Sequence, residues 1–331
     1  MSNSIRVIQY GLGPIGCAVA RHVVERAGLE LVGGVDIDPA KVGKDVGEVI
    51  GLGRPLGIPV DATLGQFLAR TKADVALHTT SSHFDLFQDQ ILEILQAGLD
   101  VVSTSEELSF PWLAHSKEAD DIDRVARKAG KTVLGTGVNP GFLMDSLPLS
   151  LTAICQRVDR LDVTRRMNAS SRRGPFQAKI GSGMTVEAFT AKMGEGRMGH
   201  VGLPESMGMV FHTLGKRLAR YESSVEPVLA ERLVKTDYFE VKAGQVRGLK
   251  QVARGHTDRG EFMTLTFIAA LDEDAEGDVI QITGRPNLEV KLKGTNGDIA
   301  TVAITVNAIR RVKEAAPGLV TMCDLPIVTH W

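Results

Sequence analysis

Three cysteines in 331 residues, Cys17, Cys155 and Cys323, are too few and too scattered for a disulfide frame. They show no C-x-x-C spacing, which argues against a thiolate zinc site and for a reducing, cytoplasmic setting. No His/Asp/Glu set has metal-ligand spacing, so no metal is expected. No G-x-S-x-G nucleophile motif is present. The net charge of −2 gives no reason to expect nucleic acid or a membrane surface as partner. No apolar run approaches the roughly 20 residues that cross a bilayer. The first strand is expected to begin by Ile5, which leaves no room for a signal peptide. Internal repeats, low-complexity tracts and heptad arrays are absent. What remains, 43% hydrophobic and 24% charged residues, describes a soluble globular chain long enough for about two domains.

The strongest positive signal lies near the start. Gly11-Leu12-Gly13-Pro14-Ile15-Gly16 follows the apolar run Ile5–Tyr10 and precedes a helical pattern of Cys17, Ala18, Val19, Ala20, Val23 and Val24. Strand, G-x-G-x-x-G and helix in that order form a dinucleotide-binding fingerprint. Gly11 permits a tight turn, Gly13 lets backbone approach a pyrophosphate, and Gly16 lets helix and strand pack closely. The phosphates would rest on the N–H groups that begin the helix. A second strand, Glu30–Val35, ends at Asp36, whose carboxylate suits the adenine ribose hydroxyls. NAD(H) is therefore the favoured cofactor. Lys41 and Lys44 stand close enough in sequence to soften that choice and admit NADP(H).

Further strands are predicted at 73–79, 99–104 and 131–136, with helices at 88–97 and 119–129 between them. This alternation predicts an α/β fold with an N-terminal Rossmann doubly wound parallel sheet over residues 1–148. From about residue 149 the pattern changes. Strands are expected at 158–168, 238–243, 261–271 and 279–283, with a further one at 288–292, and helices at 185–191 and 207–218. That implies a C-terminal α+β domain, mostly antiparallel, over 149–297. A long helix at 298–315, within a final segment 298–331, is expected to pack back on the first domain.

Ligands of such sheets bind beyond the C-terminal strand ends. Glu106 and Glu107 stand just past one of these ends, and a carboxylate there can act as a base or hold a substrate ammonium. The alternative for either is to cap the next segment or face solvent. Thr79, Thr80 and Ser81 would lie beside the nicotinamide ribose, and His83 is more simply a cap or surface residue. His78, within its strand, suits a core or cofactor-adjacent place better than a metal site. Gly135–Phe142 is a tight connection in which Asn139 is a cofactor-contact candidate. Phe142, Leu143, Met144 and Phe176 are candidate walls of an apolar substrate pocket. A Gly/Pro-rich loop at 199–206 carries His200 and Glu205 and could close over substrate. Arg165, Arg166, Arg172 and Arg173 form a basic cluster, better suited to a solvated face or subunit contact than to a substrate carboxylate.

Taken together, Gly11–Gly16, the run from Val102 through Ser105-Glu106-Glu107 to Pro111, Gly135–Asp145, Gly199–Glu205 and Met322-Cys323-Asp324-Leu325-Pro326 resemble 2,4-diaminopentanoate dehydrogenases and native amine dehydrogenases. These belong to the dihydrodipicolinate-reductase-like Rossmann enzymes. The resemblance spans nearly the whole chain. It implies reversible NAD(P)-dependent oxidative deamination of an amine to a ketone and ammonia, and one catalytic Glu within Glu106-Glu107. Which of the two remains open at this level, with Glu106 nearer the strand end. It also implies a homodimer, expected to join through residues beyond 150, where an open sheet needs cover. Competing readings are another Rossmann oxidoreductase, such as a cyclic imine reductase or an alcohol dehydrogenase, and a non-catalytic NAD(P)-binding regulator.

Overall fold

The computed structural model describes residues 4–194 and 198–331. The chain divides into two compact units, Met1–Phe142 with Asn296–Trp331, and Leu143–Thr295.

The first unit is built on parallel strands β1 (Ile5–Tyr10), β2 (Leu29–Val35), β3 (Val60–Asp61), β4 (Val75–His78), β5 (Asp100–Ser103) and β6 (Thr132–Gly135). Their spatial order is β3-β2-β1-β4-β5-β6, and the short strand Gly318–Val320 pairs parallel with β6 to close the far edge. That is the doubly wound dinucleotide-binding order, with its reversal beside β1. Helices cover the strands because their apolar residues recur at helical spacing. Pro14–Glu25 buries Gly16, Val19, Ala20 and Val23. Phe84–Gln96 buries Phe84, Phe87, Ile91, Ile94 and Leu95. Each fully buried aromatic or aliphatic side chain contributes about 1.5–3 kcal/mol. Strands β4 and β5 show no alternation of buried and exposed residues. Both are buried throughout, as expected where a parallel sheet is covered on its two faces. The long helix Gly297–Glu314 lies against Pro14–Glu25, β5 and β6.

The second unit begins its strands with β7 (Arg157–Asn168) and β8 (Arg220–Leu229). Next come β9 (Val234–Lys235) and β10 (Glu240–Val241), which form a separate two-stranded ladder. The remaining strands are β11 (Val246–Thr257), β12 (Gly260–Ala270), β13 (Gly277–Arg285) and β14 (Leu288–Leu292). With β7 and β8 they make a six-stranded sheet in the order β14-β13-β7-β12-β11-β8. All pairings in this sheet are antiparallel except β7 with β12. Leu161, Val163 and Arg165 face one side and are buried, while Asp162, Thr164 and Arg166 alternate to a partly exposed side. The expectation of a strand at 238–243 is corrected here. Only Glu240 and Val241 are strand, and they lie outside the large sheet. The loop expected at 199–206 is shorter, since Pro204 enters the first turn of the helix Leu203–Thr213. Among the described residues no helix is long and apolar enough to cross a membrane.

Candidate active site

The glycine turn is built from beneath by two polar side chains. Gln9, in the middle of an otherwise apolar stretch of β1, is fully buried. Its Nε2 donates to the Gly11 carbonyl and to Thr79 Oγ1, both at 2.9 Å, and Thr79 Oγ1 donates to the same carbonyl at 2.9 Å. Gly11 sits at φ +90°, a conformation that side chains disfavour. A Cβ on Gly16 would stand 2.0 Å from the Gly11 oxygen and 2.5 Å from Thr79 Oγ1, whereas a Cβ on Gly13 would meet nothing within 4 Å. The turn is therefore sealed at Gly16 and open above Gly13. Gly13 begins the helix Pro14–Glu25 without a side-chain cap. Open backbone over an uncapped helix start fits a pyrophosphate, so these residues suit a dinucleotide. Leu12 is buried, and Pro14 and Ile15 occupy the first turn.

Asp36 follows β2 and folds back on this turn. One carboxylate oxygen accepts the Leu12 N–H at 2.7 Å and the Lys41 ammonium at 3.1 Å. The other accepts the Asp38 N–H at 2.8 Å. Burial works to raise this carboxyl, but the backbone donors of Asp38 and Leu12 and the Lys41 charge outweigh it and hold it below the ordinary aspartate range. Lys41 also pairs with Asp38 at 3.4 Å.

At the end of β4, Thr79 is part-buried, Thr80 is exposed and Ser81 is part-buried. His78, the last residue of β4, is fully buried and pairs in register with Ser103 of β5. Glu106 and Glu107 open the short turn that follows β5. Their surroundings differ. Glu107 Oε2 accepts the Phe84 N–H at 2.6 Å, at the start of the helix Phe84–Gln96. Its carboxylate also stands 3.1 Å from His83 Nδ1 and 3.6 Å from His115 Nε2. Glu106 is half-buried one residue closer to the strand end. In the loop after β6, Asn139 is 7% exposed, and the Val138 N–H donates to Thr301 Oγ1 at 3.2 Å.

The apolar candidates divide between the units. Phe142 closes the first and is half-buried. Leu143 and Met144 open the second and are fully packed. Phe176 lies under the Arg172 guanidinium at 4.8 Å. The His200 ring stacks on Phe267 at 4.6 Å, and the His200 N–H donates to Gln251 Oε1 at 2.7 Å. The four arginines do not act as one group. Arg165 is buried against Asp278 at 3.3 Å, while Arg166, on the opposite face of β7, pairs with Glu273 at 3.4 Å. Arg173 instead precedes the helix Gly174–Lys179. Among the described residues no group of three or more His, Cys, Asp or Glu could hold a metal ion.

Comparison with known proteins places this arrangement. The 2,4-diaminopentanoate dehydrogenase C-terminal domain matches residues 142–331, and the N-terminal domain of dihydrodipicolinate reductase matches residues 5–105. A 2,4-diaminopentanoate dehydrogenase from Acetoanaerobium sticklandii is 34% identical over 98% of this chain and 94% of its own. The chain belongs to the 2,4-diaminopentanoate dehydrogenase family. An amine dehydrogenase from Streptomyces virginiae is 23% identical over 98% of this chain and 96% of its own. The solved amine dehydrogenase of Mycobacterium smegmatis superimposes with a TM-score of 0.86 at 25% identity, over 99% of this chain and 97% of that one. The member described here is thus an oxidoreductase of the amine dehydrogenase type with a nicotinamide cofactor.

Two polar residues of the site escaped the sequence reading. Gln9 was legible only as a polar residue inside an apolar strand, and Gln90 as a polar residue on the helix Phe84–Gln96. Neither belongs to a motif. Gln9 bonds the Gly11 carbonyl and Thr79, and Gln90 Oε1 lies 2.8 Å from His78 Nε2 and accepts the Thr80 hydroxyl at 2.7 Å.

Proposed function

We propose that this chain catalyses reversible oxidative deamination of an amine or diamine, either 2,4-diaminopentanoate-like or simple aliphatic, to a ketone and ammonia. The observation that supports the reading is a pair of adjacent carboxylates, Glu106 and Glu107, in the turn just past the end of β5. Glu107 accepts the Phe84 N–H at the start of the helix Phe84–Gln96. The catalytic role is assigned to Glu106, which is half-buried and one residue nearer the end of β5. In the oxidative direction Glu106 takes a proton from the substrate ammonium and passes it to solvent, and the amine carbon gives up hydride to become an iminium carbon. Glu106 then takes a proton from the water that attacks this carbon and returns it to the departing ammonia. The bound nicotinamide supplies the hydride acceptor. In reverse, the same carboxylate serves ammonia addition and loss of water. Phe142 in the first unit, and Phe176 and His200 in the second, each keep some accessible surface, whereas Leu143 and Met144 are fully packed.

NAD(H) is the favoured cofactor. The Asp36 carboxylate suits a ribose 2′-hydroxyl and repels a 2′-phosphate. Thr79, Thr80, Ser81 and Asn139 serve as neighbours of the nicotinamide end. The protein works in the cytoplasm, as three scattered cysteines without a disulfide suit a reducing compartment. It forms a homodimer through the partly exposed face of the six-stranded sheet, around the register partners Thr164 and Thr266. Light scattering at micromolar concentration tests this, and a strictly monomeric active enzyme rejects it.

The test of function is a screen of amines and ketones with both cofactors, run beside Glu106→Gln. Amine oxidation is expected in the wild type. The variant should lose about 100- to 10,000-fold in rate with cofactor binding intact. Turnover of hydroxy compounds but not amines, or near-normal activity in the variant, overturns the reading.

A further inference from the structure

A single buried imidazole touches both strand-end segments that the reaction uses. His78 Nδ1 lies 2.9 Å from Ser103 Oγ, and Ser103 Oγ accepts the Ser105 N–H at 3.1 Å. Ser105 Oγ itself stands 3.5 Å from Nδ1. On the other side, His78 Nε2 lies 2.8 Å from Gln90 Oε1 and 2.9 Å from Thr80 Oγ1. The Thr80 hydroxyl donates to the same Gln90 oxygen at 2.7 Å.

The proton positions follow from these partners. A carboxamide oxygen can only accept, so Nε2 carries the proton and Nδ1 accepts from the Ser103 hydroxyl. Burial pushes the imidazole down to about 4, against the hydrogen bond to Gln90, so the ring is neutral at physiological pH. Tyr10 and Phe87 flank it, with ring centroids at 5.6 and 6.2 Å. The network leaves the ring one orientation.

We propose that His78 is a positioning residue for the amine dehydrogenase reaction, fixing the Ser105-Glu106 turn against the Thr80 segment through its two ring nitrogens. This rests on Glu106 as the catalytic carboxylate. His78 itself touches no substrate. Its role is to hold two neighbouring strand ends at one separation, where a displacement of about 1 Å in a reacting group can cost about 100-fold in rate.

The test uses the full-length enzyme. His78→Leu should lower kcat for amine oxidation by about 10- to 100-fold while the Kd for NAD+ stays within about threefold. His78→Gln, which keeps an N–H toward Gln90, should recover a large part of that loss. Ser103→Ala, which removes only the arm to the Ser105 turn, should lower kcat at unchanged Kd even where the His78 variants fold poorly. In the wild type, nitrogen NMR of the labelled imidazole should show a neutral ring protonated at Nε2. Wild-type kcat in Ser103→Ala and His78→Leu overturns the proposal, as does an imidazolium at pH 7. Glu106→Gln, measured in parallel, separates the two ideas. Activity in that variant defeats the carboxylate assignment, whereas its inactivity beside a fully active His78→Leu defeats the positioning role alone.

Discussion

The Glu107 carboxylate accepts the backbone N–H of Phe84 at 2.6 Å and so caps the helix Phe84–Gln96 from a different strand end. His83, at the N-cap position of that helix, makes no side-chain cap of its own. A negative charge at a helix start is favoured by the aligned peptide dipoles as well as by the hydrogen bond. Glu107→Ala should therefore cost about 1 kcal/mol of stability in urea or guanidinium unfolding. Its kcat should fall far less than that of Glu106→Gln. A Glu107 variant as stable as wild type but inactive would reverse the assignment of the two carboxylates.

Gln9 should govern cofactor affinity from beneath. Its amide binds the Gly11 carbonyl and Thr79 Oγ1, so Gln9→Leu removes one donor from each, while the carbonyl keeps the Thr79 hydroxyl. Each lost hydrogen bond costs about 0.5–1.5 kcal/mol. We expect a lower melting temperature and weaker NAD(H) binding in fluorescence titration, with specificity between NADH and NADPH unchanged. Binding equal to wild type would show that the glycine turn holds its shape without this brace.

The sequence was most legible where one residue type answers one physical demand. The glycines of the turn, the acid closing β2 and the parallel alternation all follow from backbone geometry and burial. Strands β8 and β11 were not legible. β8 lies at a sheet edge and carries Arg220, Glu222, Glu226 and Pro227, which blur any apolar alternation. In β11, Gly255 interrupts the pattern because Met207 and Phe211 fill the space that its side chain would need. The cap that Glu107 makes also exceeded local sequence, because its partner, the Phe84 N–H, is 23 residues away.

Cofactor choice should depend on Asp36 and Lys41 as a pair. Lys41 bridges Asp36 at 3.1 Å and Asp38 at 3.4 Å, so its charge is already engaged in the wild type. Asp36→Ala should weaken NADH binding by about tenfold, or about 1.4 kcal/mol, and improve NADPH as Lys41 is released toward a 2′-phosphate. Adding Lys41→Ala should remove the NADPH gain without restoring NADH. The readout is the ratio of KM values for the two cofactors. A wild-type enzyme that prefers NADPH would reject the role given to Asp36.

Acid stability should carry the signature of His78. Its folded-state value is depressed from 6.5 to about 4 by burial. Between those values the unfolded chain binds a proton that the folded ring refuses, so stability falls as pH drops through this window and is retained above it. The contribution to the slope is at most about 1.4 kcal/mol per pH unit for one proton. His78→Gln has no titrating ring. Although less stable than wild type at pH 7, it should lose less stability between pH 6.5 and 4. Unfolding free energies measured at half-unit steps through that range decide it. Parallel pH curves for the two proteins would mean that the buried ring takes up its proton in the folded state.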